Sequence, residues 1–207
     1  MTEPGLSASV TEQFKGAFRH HPAGVALVSA MTADGPVGLT LSSVASVSAD
    51  PAVLVFSVTR ATGSAGGILS APSMLVHFLV AGQEPIADAF ARSGQPRFTP
   101  AQGWRMLPTG EPFLPSARVA VRGMIRETHR VGPSALILLD VLDVIDGTPG
   151  APLLYHDRHY DSLVSAAPSG SVDALERASR AADSARDQAA NWGGTDQRAH
   201  EMPERYW

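Results

Sequence analysis

Cysteine is absent from the 207 residues, which excludes disulfides, thiolate metal sites and cysteine nucleophiles. Lysine is almost absent. Lys15 stands alone against fifteen arginines, so a clamp on phosphate or carboxylate here must be arginine or backbone. No stretch approaches the roughly 18 uninterrupted apolar residues of a membrane span. The opening MTEPGLSASVTEQ lacks the basic-then-apolar order of an export signal. Excess positive charge is missing too; a net charge of -4 argues against nucleic-acid binding. Neither GxGxxG nor GxxxxGK[ST] occurs, so both common phosphate cradles are excluded. These absences fit a cytoplasmic protein.

What is present is a globular composition, 44% hydrophobic and 17% charged. The length suits one domain with an appendage. Phe14 and Phe18 lie one helical turn apart in TEQFKGAFRHH (11–21), with Thr11 as the expected N-cap and Pro22 as the stop. GVALVSAMT and PVGLTLSS flank Ala33-Asp34-Gly35, a hairpin signature. AVLVFSVT (52–59) follows Pro51, and SMLVHFLVA (73–81) is another apolar run. QEPIADAFARSG reads as a helix with Pro85 in its first turn. ARVAVRGMIRE (117–127) alternates, with Val119, Val121 and Ile125 opposite Arg118, Arg122 and Arg126. SALILLDVLDVID (134–146) predicts a long, bent strand, and PLLYH (152–156) a short closing one.

Six or seven short strands with two or three helices predict a mainly β fold, a closed or partly closed antiparallel barrel. Residues 1–164 form the expected domain. After it, SAAPSGS (165–171) reads as a linker. A thin, alanine-rich helix capped by Ser171 and a polar tail with two tryptophans follow. A metal site is not expected. His156 and His159 are three apart, which on one strand points them to opposite faces.

Thr40, Ser42, Ser43, Ser46 and Ser48 crowd hydroxyls into nine residues between two strands. Such a segment either satisfies its own backbone as a serine-rich turn or binds a polar cofactor. Arg60 with Thr59, Thr62 and Ser64 offers a phosphate contact or a solvated surface charge.

Five blocks in series resemble the flavin reductase-like family, with its FMN-binding split barrel of Greek-key type. They are HPAGVALVSA (21–30), GLTLSSVASVSADPAVLVFSVTR (38–60), MLVHFLVAGQEPIADAFA (74–91), RFTPAQGWRM (97–106) and PLLYHDRHY (152–160). The resemblance implies hydride transfer from NADH or NADPH to FMN, with FAD as alternative, and service to a two-component monooxygenase. It implies cofactor contacts from Thr40, Ser42, Ser43, Ser46, Val47, Ser48, Thr59, Arg60, Ser64, His77, Phe78 and Phe98. Arg97 falls in the loop expected beside the flavin. His156 and Tyr160 are implied at the nicotinamide, and a homodimer is implied as the assembly. No protein side chain is expected to act as catalytic acid or base, because the cofactor carries the reaction. One departure stands out. Relatives often carry Gly-Asp-His before the long strand, where this chain has Gly132-Pro133-Ser134, and His129 is the candidate substitute. That departure leaves a second reading, a flavin carrier or accessory without nicotinamide turnover. A third is an interaction module whose aromatic tail binds a partner.

Overall fold

The computed structural model describes residues 6–59 and 62–163. In chain order the elements are α1 (Leu6–Arg19), β1 (Ala23–Gly24), β2 (Ala26–Thr32), β3 (Gly35–Leu41), β4 (Ala45–Ala49) and β5 (Ala52–Thr59). Then come α2 (Ser64–Ser70), β6 (Met74–Phe78), α3 (Glu84–Ala91), β7 (Arg105–Met106) and β8 (Pro112–Phe113). The chain continues through β9 (Val119–Val131), β10 (Ser134–Asp146), β11 (Leu153–His156) and β12 (His159–Ser162). The expected linker, thin helix and aromatic tail lie outside the described residues.

The main sheet has seven antiparallel strands in the order β3-β2-β6-β9-β10-β5-β4. Its edges are β3 and β4, yet only Ser42, Ser43 and Val44 separate them in sequence. Seven strands laid flat would set their edges about 29 Å apart. Four extended Cα–Cα steps span at most ~15 Å. The sheet must therefore curl until its edges face each other. It does not close. The mainly β, antiparallel expectation holds, with a split between edges rather than a sealed barrel. At the split Ser43 Oγ accepts from the Ser57 N–H at 2.9 Å and donates to Ser57 O at 3.1 Å.

Both faces of β2 are covered, which explains why its apolar residues do not alternate with exposed polar ones. Val28 and Ala30 join Phe56, Ile68, Met74, Val76, Ile137 and Leu139 in the core inside the curl. Leu27 faces the other way, into a second cluster with Leu79, Ala87, Phe90, Leu114 and Leu153. That second cluster seats α3 and the small sheet β1-β11-β12 against the barrel wall.

Several boundaries differ from the sequence reading. The first helix starts at Leu6, not Thr11. Twelve strands form among the described residues because short pairs such as β7–β8 carry too few residues to show a period. The Val119, Val121 and Ile125 series does pack on one core, and the bend expected in β10 coincides with register shifts at Leu138/Leu139 and Val141/Asp143. PLLYHDRHY is a hairpin, not one strand, and it pairs His156 with His159. The two rings are thus cross-strand neighbours, correcting the opposite-face expectation. Among the described residues no group of three or more ligating side chains is placed to hold a metal, and no helix is long and apolar enough to cross a membrane.

Candidate active site

A cleft of about 970 Å³ opens at the split. One wall is the end of β3 with Ser42 and Ser43; the other is Ser57, Val58 and Thr59 of β5. Thr62, Gly63 and Ser64 close one end, and Pro133 of the β9–β10 turn reaches in. Phe90 forms an apolar floor, braced by Phe98 at 4.9 Å and Trp104 at 5.5 Å between ring centroids. Eight hydroxyl side chains line this space and no carboxylate does, among the described residues. Arg97 is its one cation among the described residues. Its guanidinium donates to Ala89 O at 2.9 Å, Arg92 O at 2.6 Å, Gly38 O at 3.3 Å and Ser64 Oγ at 2.9 Å. It is a tie between β3, α2 and α3 before it is anything else.

A second cleft of about 450 Å³ shares Thr40, Leu41 and Ser42 with the first. Its other wall carries Asp88 and Arg92 from α3, and Tyr155, Arg158, His159 and Tyr160 from the β11–β12 hairpin. Tyr160 donates to Asp88 Oδ1 at 3.1 Å, while Arg92 pairs with Asp88 Oδ2 at 3.2 Å. Burial, then the Asp88 hydrogen bond and charge, push the Tyr160 phenol up to about 12. It stays protonated at any working pH and remains a donor to Asp88.

Of the residues expected around a cofactor, Thr40, Ser42, Ser43, Thr59 and Ser64 meet at the larger cleft. Thr40 spends its own hydroxyl proton on Ala87 O at 2.7 Å, which fixes α3 to β3. Ser46, Val47 and Ser48 lie on edge strand β4 and line neither cleft. Arg60 falls outside the described residues. Phe98 supports Phe90 from behind and Phe78 is half-exposed elsewhere on β6. Tyr160 lines the second cleft; His156 does not, and His129 pairs with Glu127 at 3.1 Å away from both.

The His77 expectation is corrected. This ring is fully buried, with Nδ1 at 3.1 Å from Leu27 O and Nε2 accepting from the Leu114 N–H at 3.1 Å. Nδ1 therefore carries the proton, and no ring atom is left for a ligand. Burial, against a smaller upward pull from the Leu27 carbonyl, lowers its pKa to about 4.

Sequence reasoning did not single out Asp88, Arg92 or Arg158 as cleft residues, and it marked Pro133 only as part of a departure from the Gly-Asp-His of relatives. For Asp88 and Arg92 the only signal was their i,i+4 spacing on a helix. It also missed Glu111, buried under hydrogen bonds from Ser73, Thr109 and Arg122. Burial alone would raise the Glu111 carboxyl, but these bonds and its own backbone N–H outweigh it and hold the pKa below the usual value.

An open, curled antiparallel sheet with a hydroxyl-lined cleft at its split defines a class of cofactor-binding barrel. The flavin reductase like domain matches residues 18–164, and the chain belongs to that family. It is 35% identical over 162 residues to an NADH:FMN oxidoreductase of Rhodococcus qingshengii, spanning 76% of this chain and 84% of that one. A flavin reductase domain protein from Arthrobacter sp. FB24 superposes with a TM-score of 0.71 at 31% identity, covering 77% and 99% of the two chains. The flavin reductase component of a bacterial two-component tryptophan halogenase, BorF, gives a TM-score of 0.66 at 25% identity, covering 74% and 98%.

Proposed function

We propose that this protein is an NAD(P)H:flavin oxidoreductase that takes FMN in the larger cleft and the nicotinamide donor in the smaller one. The observation that carries the reading is the shared wall of Thr40, Leu41 and Ser42, which makes two ligand spaces contiguous. The larger space is of the size of ordinary ligand sites, ~300–1,000 Å³. Its lining fits a flavin: many short hydroxyls, an apolar floor and, among the described residues, no carboxylate to repel a phosphate. Thr59, Thr62 and Ser64 would hold the phosphate end, with Ser42 and the backbone beside it along the ring edge. FAD is the alternative occupant.

When bound, the flavin supplies the hydride acceptor, N5, for the hydride leaving nicotinamide C4. The chain's own part is orientation. Arg97 and Thr40 lock α3 and its Phe90 floor against β3, so the floor does not move when the ring settles. Tyr160 and Asp88 fix the far wall, and neither needs to exchange a proton during turnover.

The test is anaerobic stopped-flow mixing of the FMN-loaded chain with NADH and, separately, NADPH. Rapid bleaching of the flavin band supports the reading. Tight FMN binding without bleaching supports the second reading, a carrier, which the Gly132-Pro133-Ser134 departure from the Gly-Asp-His of relatives favours. The reading extends to a cytoplasmic homodimer that delivers reduced flavin to an oxygenase. Exposed Met124 and Val131 on β9 and Leu136, Leu142 and Val144 on β10 supply an apolar surface for such an assembly.

A further inference from the structure

The turn between β11 and β12 holds two non-glycine residues in the left-handed region, Asp157 at φ 48° and Arg158 at φ 67°. A tight hairpin of this kind favours Asn-Gly or Asp-Gly, since glycine meets no steric cost there. The second position is instead an arginine. The first is anchored: the Asp157 N–H donates to Arg19 O at 3.0 Å, and its carboxylate lies 2.8 Å from His20 Nδ1 and 3.6 Å from Arg19 Nε. The turn is thus tied to the end of α1, and Arg158 is presented from a fixed base at the second cleft.

The charges of that cleft do not balance. Asp88 is shared between Tyr160 and Arg92, so its charge is already answered. Arg158 has no hydrogen-bond or ion-pair partner among the described residues. We propose that Arg158 is a specificity residue that grips a phosphate oxygen of the dinucleotide donor. This rests on the donor occupying the second cleft, as proposed above. An arginine fork suits phosphate better than any neutral side chain in the cleft, and a backbone cost at this position is accounted for by a ligand contact that glycine cannot make.

The full chain loaded with FMN is assayed as wild type, Arg158→Gly and Arg158→Lys. Glycine relieves the left-handed strain, so the melting temperature of Arg158→Gly holds or rises and misfolding does not confuse the result. KM for the donor rises about ten-fold in Arg158→Gly, the loss of one charge-assisted contact, while kcat at saturating donor and FMN affinity are retained. Arg158→Lys recovers most of the loss. Equal effects on NADH and NADPH place the contact at the pyrophosphate; an effect on NADPH alone places it at the 2′-phosphate. Unchanged KM for both donors overturns the assignment and leaves the oxidoreductase reading intact. A loss of FMN affinity matching the rise in KM overturns it in favour of a flavin contact. Wild-type protein that oxidises neither donor overturns both readings together.

Discussion

At the scale of single residues, His77 shows how a buried polar group acts on stability without touching a ligand. Its ring bridges Leu27 O and the Leu114 N–H, joining β2 to the segment after β8, and it is neutral with a pKa of about 4. Above pH 6.5 neither the folded nor the unfolded chain protonates this ring, so its contribution is complete. Between pH 6.5 and 4 only the unfolded chain takes up the proton, and folding stability falls by about 3 kcal/mol in total. Below pH 4 both states are protonated and the loss stops growing. Urea unfolding at pH 7.5 and pH 5 checks this against His77→Gln. The variant starts less stable, and the gap to wild type narrows as pH falls; a constant gap would show that the ring does not carry the slope. Ser43 belongs at the same scale. Both of its hydroxyl bonds go to Ser57, so Ser43→Ala unfastens the split rather than removing a flavin contact. Fluorescence titration should show several-fold weaker FMN binding, with a stability loss of about 1 kcal/mol.

Among the elements, α3 decides the shape of the site, and it was legible. Pro85 in the first turn of QEPIADAFARSG announced the helix, and Ala87 and Phe90 are its most buried residues. What packs beneath it was not legible. A Cβ on Gly38 would lie 2.8 Å from Phe90 Cε1 and 2.9 Å from Val28 O, so β3 and α3 approach as closely as they do only because residue 38 has no side chain. Gly38→Ala should lower the unfolding free energy by about 1–3 kcal/mol, since a ring and a backbone oxygen must both yield. It should also weaken FMN binding by tilting Phe90, read by the same titration. Unaltered FMN affinity in a destabilised variant would remove Phe90 from the floor of the site. Arg97 illustrates the same limit. Its position in a loop near the expected flavin was read from the sequence, but its bonds to Gly38 O on β3 and Ser64 Oγ on α2 reach segments 59 and 33 residues away, which no local pattern reports.

Over the whole molecule, local sequence revealed the strands but not their order. β3 and β4 are neighbours in the chain and opposite edges of the sheet, which only pairing between remote segments can decide. The hydroxyl-rich segment was therefore visible as a candidate, while the division of labour within it was not. Thr40, Ser42 and Ser43 reach the split, and Ser46 and Ser48 ride away on β4. The same topology leaves β9 and β10 as a ribbon of 13 residues in each strand, longer than any other pair. A strand pair that long outruns the core it covers. Leu142 and Val144 remain 48% and 57% exposed, an apolar surface that water does not favour. If the ribbon is where two copies meet, sedimentation equilibrium of the full chain gives twice the mass of one chain, and Leu142→Glu halves it without changing the circular dichroism. The variant should also lose flavin affinity if the ribbon's turn, which sends Pro133 into the larger cleft, is steadied by the partner. A wild-type chain that sediments as a monomer would release this surface for a different protein, and the oxygenase proposed above as acceptor of reduced flavin would then be the occupant to test.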